Sequence, residues 1–249
     1  MNKEVNEEKH GFRIGLINNN NFGTNMKIIK NISCDKVLIE FQDWKKFQKE
    51  IYWENFKNGK VKNPYDKVRY GVGYIGDGEY KVESILGTHD KSYDVWQNML
   101  ERCYSEKLRY KHKAYEECTV CDKWHNYQNF AKWYKNNSYD LKEGRLHLDK
   151  DIKQKNNTMY SPETCLLIPQ RINMIFMGKT NKWNFPSGIS LSYNNKYITS
   201  YNGKHLGIKD TLEKAVKAHD DAKRIHIKQI AEEYKGIIPT KVYKALLAW

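Results

Sequence analysis

Apolar positions along the chain change their period twice. Between residues 10 and 64 they fall in runs too short for helices, Met26-Lys27-Ile28-Ile29 and Lys36-Val37-Leu38-Ile39-Glu40-Phe41. The asparagines at 18–21 with Gly23, and Ser33-Cys34-Asp35, supply the turns between them, and short apolar runs bounded by such residues read as strands. This predicts a small, open N-terminal β-barrel ending near Asn63-Pro64. Residues 70–78 are glycine-rich, but no apolar strand precedes them, no helix opens from them, and Gly-Lys-Ser/Thr is missing. They therefore read as a glycine-bent connector rather than a phosphate loop. From Ser92 the period becomes helical, with Val95, Trp96, Met99, Leu100 and Cys103 at three- and four-residue steps and Asp94 near the start. A second helix over about 126–136 carries Tyr127, Phe130, Trp133 and Tyr134. Leu146-His147-Leu148-Asp149 then alternates like a strand, 153–158 is a polar turn, and 164–176 opens with an apolar run.

After Pro186 the pattern returns to short strands, at 188–192, 197–201 and 205–208, with turns at Asn194-Asn195 and Asn202-Gly203. Asn-Gly between two strands is a strong hairpin signal. A helix follows from Asp210-Thr211-Leu212-Glu213, a capping-box arrangement in which Asp210 caps and Glu213 reaches back. Its apolar face is Leu212, Ala215, Val216, His219, Ala222 and Ile225. The prediction is a three-stranded sheet backed by one amphipathic helix, and for the whole chain an α+β, multi-module fold.

Composition narrows the function classes. The 249 residues allow one large domain or two to three small ones. Lys+Arg number 43 against 30 Asp+Glu, a net charge of +13, with a pI near 9.3 and a mean hydropathy of −0.86. No apolar run approaches the ~18 residues a membrane helix needs, and residues 1–9, MNKEVNEEK, lack the apolar core of a secretory signal. The chain holds 18 Tyr and 7 Trp, too many for a disordered basic protein. Five cysteines, odd in number and irregular in spacing, point to a reducing compartment. A folded, soluble, intracellular protein with a polyanionic partner is expected. Residues 1–84 and 85–178 each hold 15 basic and 12 acidic side chains, whereas 179–249 hold 13 and 6, so the electrostatic footprint is expected in that last segment.

The C-terminal unit carries Ser187-Gly188-Ile189, Lys196-Tyr197, Gly203-Lys204-His205-Leu206-Gly207, Thr211-x-Glu213-x-Ala215 and Ala218-His219-Asp220, in that order. This set resembles the APETALA-type (ethylene-response-factor) DNA-binding domain, with Lys196-Tyr197 where that family usually has a Trp. The resemblance implies that the sheet lies in the major groove of double-stranded DNA and presents Ser192, Lys196, Tyr197, Thr199, Tyr201 and Lys204. Independently of the family, lysines reach phosphates and set affinity, while polar side chains at alternate strand positions reach base edges and set preference. The strands contain no Arg, the residue best suited to bidentate guanine contact, so strong sequence specificity is not expected. The competing reading is a β-β-β-α unit that serves protein contacts.

The centre of the chain carries Trp96-x-x-Met99-x-x-Arg102-Cys103-Tyr104, Val120-Cys121-Asp122-x-Trp124 and Phe130-x-x-Trp133. Leu148-Asp149-Lys150-Asp151-Ile152, Tyr160-Ser161-Pro162-Glu163-Thr164-Cys165 and Ile172-Asn173 follow. The ordered set resembles the HNH-like proteins common in phages and mobile elements of Gram-positive bacteria, in which a small N-terminal β-module is a frequent companion. The resemblance implies a ββα-metal fold in a phage- or mobile-element-encoded protein of the bacterial cytoplasm. It divides the chain into 1–69, a connector at 70–91, an HNH-like module at 92–180, the DNA-binding domain at 186–236 and a tail at 237–249. In that family a strand-end His activates water, and one divalent cation, commonly magnesium, stabilises the departing oxyanion.

Here Asp149-Lys150-Asp151 replaces the family's Asp-His pair. The resemblance then implies magnesium or manganese on Asp149 and Asp151, with Asn173 as the third motif residue. His147, on Asp149's face of a regular strand, becomes the base candidate; Lys150 is protonated near neutral pH unless burial lowers its pKa. The bland reading makes 149–151 a solvated turn, His147 a surface residue and Asn173 a capping residue. Two functions therefore stand open: a metal-dependent DNA endonuclease or nickase, and a degenerate, non-cutting protein that binds DNA or a host defence protein complex.

Zinc is not expected, because Cys118-x-x-Cys121 has no second pair to complete four tetrahedral ligands. Cys165 lies where some HNH proteins place a ligand, but Pro169-Gln170-Arg171 replaces the cysteine that should follow, and Cys103, His112 or His125 would have to be supplied by the fold. Trp96, Trp124, Phe130 and Trp133 are read as core rather than base-stacking residues from their helical spacing. Lys223-Arg224, His226 and Lys228 add basic groups to the last helix, and the apolar finish at Val242-Tyr243 and 245–249 is expected to pack on a neighbouring module or a partner.

Overall fold

The computed structural model describes residues 11–83, 87–176, 185, 187–192 and 194–249. Residues 1–9, read above for a leader, and the parts of the expected modules at 84–86, 177–184, 186 and 193 lie outside the described residues. The chain forms two compact units, Met1–Lys111 with Asp122–Ala131, and His112–Cys121 with Lys132–Trp249. Residues carrying the HNH resemblance fall in both.

In the first unit, β1 (Ile17–Asn19), β2 (Asn25–Asn31), β3 (Lys36–Phe41) and β4 (Gln48–Tyr52) make an antiparallel meander in that order. Alternation buries Met26 and Ile28 on β2 and Val37, Ile39 and Phe41 on β3. They pack with Ile51, Val61 and Phe56 of α1 (Trp53–Lys57). The expected barrel is corrected to an open sheet: among the described residues β1 does not pair with β4. Closure demands matched, staggered strands, whereas β1 has three residues and its Ile17 is 61% exposed.

α2 (Lys91–Tyr104) starts where Asp90 accepts the Ser92 N–H at 2.8 Å, and it buries Trp96, Met99, Leu100 and Cys103 as the spacing predicts. α3 (Glu106–Lys111) and α4 (Asp122–His125) complete the unit. Trp96, Trp124 and Phe130 are fully buried, and the Trp96 indole donates to Trp124 O at 2.7 Å. These aromatics are core. The connector's glycines serve close packing: a Cβ on Gly73 would lie 2.4 Å from Leu100 Cδ1, and one on Gly76 2.3 Å from Asn126 Oδ1. α5 (Tyr127–Asn137) runs from the first unit into the second.

The second unit contains β5 (Thr119–Val120), β6 (Leu146–Asp149), β7 (Met159–Tyr160) and β8 (Leu166–Pro169). β5 pairs parallel with β7, and β6 antiparallel with β8, followed at once by α6 (Gln170–Phe176). β9 (Ile189–Leu191), β10 (Tyr197–Tyr201) and β11 (Lys204–Lys209) form an antiparallel sheet with β10 central. α7 (Leu212–Glu233) backs it, and α8 (Thr240–Leu247) closes the chain. The Asn202-Gly203 signal is realised as a two-residue loop between the paired Tyr201 and Lys204, with φ of 47° and 78°, as a type I′ turn requires. One core joins Leu166, Ile168 and Ile172 to Ile227, Ile230 and Ala231 of α7 and to Val242 and Leu246 of α8. The apolar tail thus packs within its own unit.

Two details of α7 differ from expectation. Its N-cap is Thr211, whose side chain accepts the Lys214 N–H at 3.3 Å, while Asp210 pairs with Lys196 Nζ at 3.2 Å. The buried positions are Ala215, Ile227, Ile230 and Ala231, and Ile225 is 60% exposed. The far half of this 22-residue helix packs on α6 and α8 instead of the sheet, so its buried stripe is set by a second partner. Thr211→Ala is expected to cost about 1 kcal/mol of stability, and Asp210→Ala, which loses only a surface pair, no more than about 0.5. Equal shifts in the two thermal melts would return the cap to Asp210.

Candidate nucleic-acid interface

The strand–strand–helix arrangement of β6, β8 and α6 brings two of the four expected catalytic residues together. His147 stands on β6 opposite Ile168, and Asn173 on α6 places its amide nitrogen 3.1 Å from His147 Nδ1. With the amide donating, Nδ1 is the acceptor.

The carboxylates are used differently. Asp149 is 7% exposed, and its Oδ1 accepts the backbone N–H of Asp151 at 3.0 Å and of Ile152 at 2.8 Å, closing the turn that ends β6. Burial raises its carboxyl to about 6 although both hydrogen bonds favour the charged form. Lys150 is also buried, and its ammonium donates to Asp151 Oδ1 at 2.8 Å and to Asn157 O at 2.5 Å. The Asn157 amide donates to Lys150 O and Met159 O. Asp149, Lys150, Asp151 and Asn157 are therefore tied into a polar network, while 153–156 stay exposed. Magnesium keeps several waters in an octahedral shell and needs open oxygen ligands. Asp149 is buried with Oδ1 taken by two backbone N–H groups, and Asp151, 45% exposed, holds the Lys150 ammonium on Oδ1, so an ion there would have to displace that lysine.

Among the cysteines, Cys165 lies near enough to Asp149 to feel its charge. Cys118 is buried with its thiol donating to Ala114 O at 3.4 Å. Burial pushes the Cys165 thiol up to about 12. Among the described residues no three His, Cys, Asp or Glu side chains converge as a ligand set.

The C-terminal sheet divides the expected DNA-contacting residues by face. Thr199, opposite buried Ile189, is wholly buried, and α7 packs on β10. Tyr201 meets the rings of His219 and His226 on α7 edge-on, and its hydroxyl lies 2.9 Å from His226 Nδ1; burial raises its pKa. Tyr197, in step with Thr199, packs edge-on against Phe185. Tyr197, Thr199 and Tyr201 thus lie on the helix side, Thr199 wholly buried and the two tyrosines half-buried against Phe185 and the α7 histidines. Ser192, Lys196 and Lys204 remain accessible. The opposite face presents Ser190, Ile198 and Ile208 in register, then Ser200 opposite His205 beyond a bulge. Ser190, Ser200 and His205 escape a reading of the sequence that starts from the tyrosines. The signal that finds them is Ile189, the apolar residue of β9 that must face the helix.

No family model, curated protein or solved structure matches the chain.

Proposed function

We propose that the protein binds double-stranded DNA through the open face of β9–β11, and that the β6–β8–α6 unit is a scaffold without nuclease activity. The observation that carries this reading is a sheet face uncovered among the described residues, polar at Ser190, Ser200 and His205 beside exposed Lys196, with exposed Lys204 at the hairpin end opposite Tyr201. The charge of 179–249, 13 basic against 6 acidic residues, supports it. Lys196 rests on Asp210, an exposed pair worth little that a DNA phosphate can displace. Hydroxyls and one imidazole can reach base edges, but without a guanidinium fork they discriminate weakly.

The test is fluorescence anisotropy with a labelled duplex across a salt series, beside incubation with supercoiled plasmid in magnesium, manganese and EDTA. Affinity is expected to fall with salt, and Lys196→Ala and Lys204→Ala each to lower the log–log slope by about one unit. Slopes unchanged in both variants would take the sheet out of the interface. Binding is expected to persist in EDTA with the plasmid uncut. Metal-dependent nicking that disappears in Asp149→Asn, which keeps an acceptor for the turn N–H groups, would instead make the central unit a nuclease.

A further inference from the structure

The second unit holds a groove of about 500 Å³, within the about 300–1,000 Å³ usual for small-molecule sites. Its rim is polar and cationic: Arg145 before β6, Gln170 and Arg171 at the start of α6, Asn202 in the β10–β11 turn and His226 on α7. Its floor is apolar and partly aromatic, from Met174 and Ile175 of α6 and Ile230 and Tyr234 near the end of α7. Met174 is 61% exposed and Ile230 2%, so among the described residues Met174 is the accessible part of this apolar lining.

The rim is held in place. The Arg145 Nε–H donates to Gln170 Oε1 at 3.0 Å, which leaves the terminal N–H groups of the guanidinium directed elsewhere. Arg171 pairs with Glu233 at 3.0 Å and lies 6.0 Å from the centre of the Tyr234 ring. Both members of that ion pair are more than half exposed, so it is weak and exchangeable. His226 is fixed through Nδ1 to Tyr201. Glu143 also lines the groove, and with Glu233 it offsets part of the positive charge. Two guanidinium forks suit a phosphate bearing more than one anionic oxygen. The Asn202 amide offers a donor and an acceptor to a base edge, and the floor suits a flat ring.

We infer that this groove binds a nucleoside monophosphate unit, its phosphate on Arg145 and Arg171 and its base on the floor of Met174, Ile175, Ile230 and Tyr234. Such a unit is either a free nucleotide or a nucleotide of a single strand. The inference does not depend on duplex binding, although Asn202 of the groove lies in the turn that precedes Lys204.

Calorimetric titration of the full-length protein tests this, with dAMP, deoxyadenosine, inorganic phosphate and a 5′-phosphorylated single-stranded dA hexamer as probes. Saturable dAMP binding is expected, weakened at least about tenfold in both Arg145→Ala and Arg171→Ala, in variants whose melting is unchanged. Glu233→Gln, which releases Arg171, is expected to tighten it. Deoxyadenosine and phosphate alone are each expected to bind more weakly than dAMP. A hexamer that binds more tightly than dAMP, with the same arginine dependence, assigns the strand as source; one that does not assigns the free nucleotide. The inference is overturned by absent dAMP saturation, by arginine variants that bind dAMP like the wild type, or by phosphate alone binding as tightly as dAMP.

Discussion

Gly188→Ala is expected to cost the C-terminal sheet about 3–5 kcal/mol, against the cooperative stability of 5–15 kcal/mol typical of a domain. Gly188 has φ of +94°, where an L side chain is strained, and an added Cβ would lie 2.2 Å from Ser200 O. That oxygen is backbone of the central strand, so it cannot swing aside as a side chain would. The same contact carries the Ser200 N–H to Gly188 O bond of 2.7 Å and a second bond from the Ser200 hydroxyl at 3.2 Å. Relieving the clash therefore breaks the link between the start of β9 and β10. Gly203→Ala is the matched control: its φ is +78°, but a Cβ there meets nothing within 4 Å, and only the backbone penalty of about 1–2 kcal/mol applies. Urea unfolding of the two variants separates the causes, and midpoints lowered equally would mean that the close approach to Ser200 contributes nothing.

Asp149→Asn is expected to stabilise the protein at pH 7.5 and to leave it almost unchanged near pH 4. The Asp149 carboxyl has a folded pKa of about 6 against an ordinary value of 3.8, because it is buried. Between these values the folded state binds more protons than the unfolded chain, so stability is fully present below about 4 and is lost as pH rises through about 6. A displacement of this size corresponds to roughly 3 kcal/mol at neutral pH, as an order of magnitude. Asparagine keeps an oxygen able to accept the Asp151 and Ile152 N–H groups but carries no charge, so a gain of about 1–3 kcal/mol is expected at pH 7.5. Asp149→Ala removes the acceptor and is expected to destabilise at every pH. Subtracting variant from wild type across a pH series of urea midpoints cancels the other titrating groups. A difference that stays flat between pH 4 and 7.5 would show that the carboxyl titrates alike in both states.

The local patterns were legible because they rest on short-range physics. The spacing of Trp96, Met99, Leu100 and Cys103 describes a buried helical stripe, the alternation in Leu146-His147-Leu148-Asp149 describes a strand, and Asn202-Gly203 fits a two-residue turn. Each depends on backbone conformations within a few residues. Where a competing neighbour decides, local pattern does not fix the outcome. Thr211 and Asp210 are both sound caps, and the pairing of Asp210 with Lys196 leaves the role to Thr211. The N-terminal strands were visible, but whether their sheet closes depends on a pairing between its first and last members that neither encodes.

The candidate site was legible only as a set of residue types. Alternation in Tyr197-Ile198-Thr199-Ser200-Tyr201 sorts these side chains into two faces, and each face mixes apolar with polar character. Which face meets α7 was decided in three dimensions, where His219 and His226 receive the Tyr201 ring and the described residues leave the Ser200–His205 side open. The sequence likewise offered Asp149 and Asp151 as a carboxylate pair, and only packing turned one into a buried turn clamp and the other into the partner of Lys150. By itself the sequence determined periods, turns and charge, because these follow from bond geometry and composition. Coverage, burial and the gathering of Arg145, Arg171 and His226 around one groove were decided by the tertiary structure, because desolvation and convergence belong to the space between elements.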